Sequence, residues 1–299
     1  MVRPYGVKGQ KRKKRKERYD KEEDVDEQSI QEAKRAMTSK AEMGTQSSEE
    51  EEEEEEETEK EQEQEEKKES DAQADEIEGI PIVPSDPNVK KPGIIFVLEK
   101  ASLEVAKVGK TYQILNSDDH ANFLRKNNKN PADYRPDIVY QALLSILDSP
   151  VNKAGRLRAV YVKTEKGVLF EVKPHVRIPR TYKRFSGIML QLLQKLSITA
   201  VGKREKLLRV IKNPVTQYLP ANSRKIGFSF SSEKLVKIRK YVDAIGDDTD
   251  LVFVVGAMAH GKIDCDYIDD FIAISGYPLS AAWCISKICE AVADKWNVI

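Results

Sequence analysis

Apolar residues in the last 209 positions of this 299-residue chain fall into strand-length and helix-length patterns. Ile94-Ile95-Phe96-Val97-Leu98 follows Lys91-Pro92-Gly93 as an unbroken apolar run, the signature of a strand covered on both faces of a parallel sheet. Residues 112–115 predict a second short strand, and Asp118-Asp119-His120 the start of a helix, since aspartate caps free amides there. From Asp137 onward Ile138, Ala142, Leu143, Ile146 and Leu147 recur at helical spacing, with Pro136 at the first turn and Ser149-Pro150 as the stop. Residues 159–163 and 168–172 read as a hairpin turning at Glu165-Lys166-Gly167. An amphipathic helix is predicted over 185–196. The last third alternates strand 226–230, helix 235–245, strands 251–255 and 271–274, and helix 279–296. Such alternation predicts an α/β fold with a largely parallel sheet.

The formal charge of zero hides two opposite halves. Residues 1–90 hold 17 Lys and Arg against 29 Asp and Glu; residues 91–299 hold 33 against 21. Nine consecutive glutamates, Glu49 to Glu57, sit among Gln, Lys and Ser with few branched or aromatic residues. That composition cannot bury enough apolar surface to offset the entropy of ordering, so residues 1–90 are expected to be a disordered tail, basic then acidic. The tail balances the charge of the body, and a body of +12 suits a polyanionic partner. Lys11 to Lys16 with Arg18 form a basic cluster with no apolar run behind it. It reads as a nuclear or nucleolar address or a non-specific RNA arm, not as a signal peptide. No apolar stretch of bilayer-spanning length occurs, so no membrane partner is expected.

Cys265, Cys284 and Cys289 form no CxxC pair, and His120, His175 and His260 lack ligand spacing, so no metal is expected. Gly256 to Lys262 has G-x-x-x-x-G-K spacing, yet Ile263 replaces the magnesium-binding hydroxyl and Asp264 and Asp266 follow, which disfavours an NTPase. Ser275-Gly276-Tyr277-Pro278-Leu279-Ser280 is a strand-to-helix loop suited to a cofactor recognised through the main chain. Ligands of open α/β sheets bind at such carboxyl ends of strands. Arg177, Arg180, Lys183 and Arg184 with Tyr182 and Phe185 can pair with phosphates and stack on bases, or form a solvated charged face. Arg135 and Asp137 flank a proline, so the aspartate either buttresses the arginine or caps the helix.

Together these segments resemble the small-subunit rRNA pseudouridine N1-methyltransferases of the SPOUT, or trefoil-knot, superfamily. The motifs are Arg135-Pro136-Asp137-Ile138, residues 147–155 (LDSPVNKAG), 176–187 (VRIPRTYKRFSG), 206–214 (KLLRVIKNP), 255–262 (VGAMAHGK) and 277–281 (YPLSA). The resemblance spans residues 92–299 and implies a SPOUT-type domain over 91–299 with a C-terminal knot. It implies S-adenosylmethionine as cofactor, held by Ser231, Gly256, Gly261, Ile274, Ser275, Gly276, Tyr277, Pro278 and Leu279. RNA contacts would be Arg135, Arg177, Arg180 and Arg184, with Asp137 orienting Arg135 and standing as candidate general base. The implied partners are small-subunit (18S) rRNA and its precursor, small-subunit processome proteins and a second copy in a homodimer, with 40S biogenesis in the nucleolus as the setting. The sulfonium is already activated, so alignment in a dry pocket suffices. The alternative is a non-catalytic RNA-binding assembly factor that keeps the fold.

Overall fold

The computed structural model describes residues 91–200 and 205–299 together with the backbone of Glu76 and Ile77. The disorder expected of the tail falls outside these residues, except that Glu76–Ile77 forms a two-residue strand, β1. The further strands are β2 (Ile94–Ala101), β3 (Val105–Val108), β4 (Thr111–Ile114), β5 (Leu157–Thr164), β6 (Leu169–Val172), β7 (Ser197–Ala200), β8 (Lys206–Ile211), β9 (Ser223–Phe228), β10 (Asp250–Gly256) and β11 (Asp270–Ile272). The helices are α1 (Ala121–Lys126), α2 (Pro136–Leu147), α3 (Pro150–Lys153), α4 (Tyr182–Lys195), α5 (Ile238–Asp243) and α6 (Ala281–Lys295). Among the described residues the main sheet runs β1-β7-β8-β6-β5-β2-β10-β9-β11, while β3 and β4 pair separately as a hairpin. The half from β5 to β11 is parallel and the stretch β5-β6-β8-β7 antiparallel.

The central strands carry long apolar runs because both faces are covered. Along β2, Ile94, Phe96 and Leu98 enter one core and Ile95 and Val97 the other; β10 divides Leu251, Phe253 and Val255 from Val252 and Val254 in the same way. Side chains of a strand alternate between faces, so each face receives a complete apolar row. Helices α2, α4 and α6 cover the first face through Val139, Leu143, Ile146, Phe185, Met189, Leu192, Ile285, Ile288 and Val292. The second face lies under the turn Val215–Tyr218 with Leu219 and under Ile263, Tyr267 and Ile268 of a long loop.

Several local expectations need correction. Asp118 and Asp119 do not cap α1; its N-cap is His120, while Asn116 and Asp119 bond each other. Helix α5 is six residues long because Leu235 and Val236 pair instead with Ala273. Strands β3, β7 and β8 escape the apolar pattern, β3 in the separate hairpin and the other two towards one margin of the main sheet, being short or interrupted by lysine and arginine. The predicted hairpin forms as β5-β6, turning at Gly167 with φ 82°.

At the C-terminal end the backbone passes through a loop. Ser229 N–H donates to Ile272 O on one side of the passing segment; on the other, Ala273 N–H donates to Lys234 O and Val236 N–H to Ala273 O. Residues 229–236 thus embrace 272–273, the passage that a knotted C-terminus requires. Asp270, at the base of this segment, accepts from Tyr241 Oη at 2.6 Å, Lys234 Nζ at 2.9 Å and an Arg224 guanidinium nitrogen at 2.6 Å. The Tyr241 hydroxyl foremost, then the two cations, hold its carboxyl well below the usual carboxylate range. A depressed folded pKa means that the stabilisation is complete above the unfolded value of about 4 and disappears as pH falls below it. Thermal unfolding followed between about pH 6 and pH 2 should therefore give Asp270→Asn a lower melting temperature at neutral pH and a shallower acid decline than the parent. Equal acid slopes would show that this carboxylate is not a major source of acid sensitivity.

Candidate cofactor cavity and adjoining basic surface

Loops at the carboxyl ends of β9, β10 and β11 enclose a cavity of about 600 Å³, a size typical of small-molecule sites. Its walls are Phe228, Phe230, Val255, Met258, Ile272, Ile274, Leu279 and Cys284, and its rim carries Ser117, Arg135, Asp137, Gln141, His260 and Lys262. Gly256, Gly261, Ser275, Tyr277 and Pro278 line it as well. A Cβ at Gly256 would stand 3.0 Å from Met258 Cε, so a side chain there must displace the end of Met258, which lines the cavity. Gly261 has φ +112°, which suits glycine. Ser275 Oγ accepts from Tyr277 N–H at 3.0 Å and Ser280 Oγ from Trp283 N–H at 3.2 Å, which shapes the last loop and caps α6. Two expected cofactor contacts stand apart. Gly276 lines a second cavity, which shares Ile274 and Ser275 with the first, and exposed Ser231 bonds Ser229 Oγ at 3.0 Å without lining the wall. Apolar walls, glycines at close-approach positions and a polar rim fit a nucleoside cofactor with an aliphatic tail.

Residues that the sequence did not single out hold the middle loop. Glu99, only 3% exposed, accepts from Tyr267 Oη at 2.9 Å and lies 3.5 Å from Lys163 Nζ. Its carbonyl accepts from Ala257 N–H, and Lys100 Nζ donates to Lys262 O at 2.7 Å. Burial and the Glu99 charge push the Tyr267 hydroxyl far above its ordinary value, so it remains a proton donor. Cys265 beside them is pushed up to about 11 by burial and Glu99. It is a neutral thiol at neutral pH.

Arg135 is the N-cap of α2, and Asp137 in the first turn takes its Nε at 2.8 Å and a terminal nitrogen at 2.7 Å. Of the two readings left open by sequence, the buttress is the one observed. The pairing raises the guanidinium above its usual value. Arg177, Arg180 and Arg184 are exposed on the segment that leads into and opens α4. That segment runs along α2: Arg180 bonds Asp148 at the C-cap of α2, whereas Tyr182 and Phe185 pack on Tyr140, with ring centroids 6.0 and 5.0 Å away. Burial, helped by the Asp137 charge, pushes the Tyr182 hydroxyl up to about 12. One helix thus brings Arg135 and the arginine-rich segment to neighbouring positions although over forty residues separate them in sequence.

The profile described as EMG1/NEP1 methyltransferase matches residues 96–293. The ribosomal RNA small subunit methyltransferase NEP1 of Mus musculus is 51% identical over 206 residues, covering 69% of this chain and 83% of the mouse protein. The Caenorhabditis elegans protein nep-1, with the same description, is 52% identical over 69% and 88%. This chain belongs to the EMG1/NEP1 methyltransferase family. A crystal structure of Archaeoglobus fulgidus Nep1 bound to S-adenosylhomocysteine aligns at TM-score 0.52 and 21% identity, covering 69% of this chain and 99% of that one. That likeness shows the shared fold, of the SPOUT type.

Within this EMG1/NEP1 framework the loop 257–269 owes its position to a buried carboxylate on β2, a dependence testable by mutation. Glu99→Ala leaves the Tyr267 hydroxyl without its acceptor and should cost about 2 kcal/mol in chemical denaturation, the scale for a buried group left unsatisfied. Limited proteolysis should then cut within 257–269 before the sheet is attacked. An unchanged denaturation midpoint and cutting pattern would mean that the loop holds itself.

Proposed function

We propose that this chain transfers a methyl group from S-adenosylmethionine to N1 of a pseudouridine in small-subunit rRNA and acts in small-subunit biogenesis in the nucleolus. One observation carries the reading: the cofactor-sized cavity and the Arg135–Asp137 pair share a rim, so a base held at that rim meets the cavity directly. The family membership and the similar rRNA methyltransferases support the chemistry.

The cofactor supplies an activated methyl on a sulfonium. Gly256, Gly261 and the stretch from Ile274 to Leu279 supply backbone approach and apolar walls; Ser231 and Gly276, outside the wall, contribute through their loops. The protein excludes water and aligns nitrogen with methyl; a new N–CH3 bond forms as the S–CH3 bond breaks, and S-adenosylhomocysteine leaves. The N1 proton passes to solvent across the open rim. Asp137 has both oxygens engaged by Arg135, which makes it an orienting group rather than a base. Arg135, Arg177, Arg180 and Arg184 hold phosphates by two-point geometry. Exposed Phe230, Tyr277 and Trp283 beside the cavity suit burial against a second copy. The basic cluster 11–18 suits a nucleolar address, where precursor rRNA and processome proteins are the partners.

Incubation of the full chain with S-adenosylmethionine and small-subunit rRNA, followed by nucleoside mass analysis, should reveal one added methyl on a pseudouridine. No cofactor binding by isothermal titration would leave the non-catalytic assembly factor instead. Gly256→Val should lower cofactor affinity by about a hundredfold or more, near 3 kcal/mol, with RNA affinity kept; unchanged cofactor affinity would place the pocket elsewhere. Each of Arg135→Ala, Arg177→Ala, Arg180→Ala and Arg184→Ala should weaken RNA binding and reduce the slope of log affinity against log salt by roughly 0.7, with cofactor affinity unaltered.

A further inference from the structure

The motif 147–155 is absorbed by neither the cofactor cavity nor the four arginines, yet it touches the RNA-facing segment twice. Asp148, the C-cap of α2, accepts from an Arg180 guanidinium nitrogen, and its other oxygen lies 3.8 Å from Lys153 Nζ. Asn152, fully buried, donates to Leu147 O at 2.8 Å and to Pro174 O at 2.9 Å, tying the end of α2 to the start of the arginine segment. The capping of α3 is done by Ser149, whose Oγ accepts from Asn152 N–H at 3.2 Å. The Asp148 side chain is 39% exposed and that of Arg180 68% exposed, and ion pairs so open to water contribute little to stability. Between the C-terminus of α2 and the N-terminus of α3 the two helix dipoles act on this carboxylate in opposite senses, and its charge lowers the local positive potential. Stability gains little from an acidic residue at this place and attraction for a polyanion argues against it, which leaves geometry as its benefit.

From this we infer that Asp148 is a positioning residue for RNA binding: it holds Arg180 at one end of α2 as Asp137 holds Arg135 at the other. The two carboxylates stand about one helix apart, roughly 18 Å for 12 residues. Helix α2 thereby sets the spacing of two guanidinium groups before RNA arrives. Each arginine keeps further N–H donors for phosphate after bonding its carboxylate, since the guanidinium has five. The ligand class is a single RNA strand that presents phosphates to both ends of the helix. This inference rests on the RNA-surface reading above, and the experiment separates the two.

The measurement is the affinity of the full chain for a single-stranded small-subunit rRNA fragment at several salt concentrations. The variants are Asp148→Ala, Asp148→Asn, Asp148→Glu, Arg180→Ala and the double variant Asp148→Ala with Arg180→Ala. Asp148→Ala removes a negative charge, so simple electrostatics makes it bind RNA more tightly. A positioning role makes it bind roughly fivefold more weakly, as a charge-assisted contact loses its geometry. The double variant should then match Arg180→Ala, Asp148→Glu should recover most of the loss, and melting temperatures should barely move. Asp148→Asn, isosteric with the parent, provides the same comparison should the alanine variant fold poorly. Equal or tighter binding by the Asp148 variants, with Arg180→Ala weakened, overturns the inference and leaves the RNA surface standing. Additive losses in the double variant overturn it as well, because the two residues would then act separately. Unchanged affinity and salt slope in Arg180→Ala instead removes that arginine from the RNA surface, and the role of Asp148 with it.

Discussion

One carboxylate at the foot of the last strand organises the C-terminal half of this protein. Asp270 gathers Tyr241 of α5, Lys234 of the loop after β9 and Arg224 of β9. Each donor belongs to a different segment, so a single anion ties the three together at the edge of the core on which Tyr241 packs. The loop after β9 is thereby pinned around β11, and the cavity forms between that loop and its two neighbours. Gly227, opposite Phe271 in the register, belongs to the same constraint: a Cβ there would stand 2.7 Å from the Phe271 ring.

The cavity is therefore a by-product of how strands end, and its two sides are supported by different physics. On the side of β9 and β11, main-chain hydrogen bonds and the Asp270 node set the wall. On the side of β10, a buried glutamate and a tyrosine from opposite ends of the domain sequence hold the loop. The rim is different again, because its arginine is set by a neighbouring aspartate on the same helix. Glycines permit close approach at the wall, whose charged supports Asp270 and Glu99 stand behind it, while the charges that face the cavity lie at the rim.

What was legible in the sequence was whatever depends on local pattern. The apolar runs of β2 and β10 announce strands with two covered faces, and Arg135-Pro136-Asp137 announces a helix mouth, although local pattern left open whether the aspartate pairs the arginine or caps the helix. The glycine loops after β10 and β11 identify the cavity, since ligand sites of such sheets gather at strand ends. Long-range pairing was hidden. Leu235 and Val236 carry a helical apolar pattern, but Ala273 offers them main-chain hydrogen bonds that the helix loses to. Which cavity a loop residue lines is equally invisible: Tyr277 lines the first, Gly276 the second, and Ser275 lines both. Glu99 reads as a polar end to an apolar run because its partner Tyr267 is 168 residues away.

The passage of residues 272–273 through the loop 229–236 also sets an order in time. Residues 229–236 precede 272–273 in the chain, so the loop is made before the segment that must enter it. Chains fold from the N-terminal side during synthesis, and contacts between distant segments are slow to form. A segment such as α6, which follows the passage, is far easier to pull through than a whole folded domain. Any extension fused to Ile299 would have to make the same journey, so enlarging the protein at its C-terminus should slow its maturation, whereas additions at the N-terminus would not have to pass through the loop.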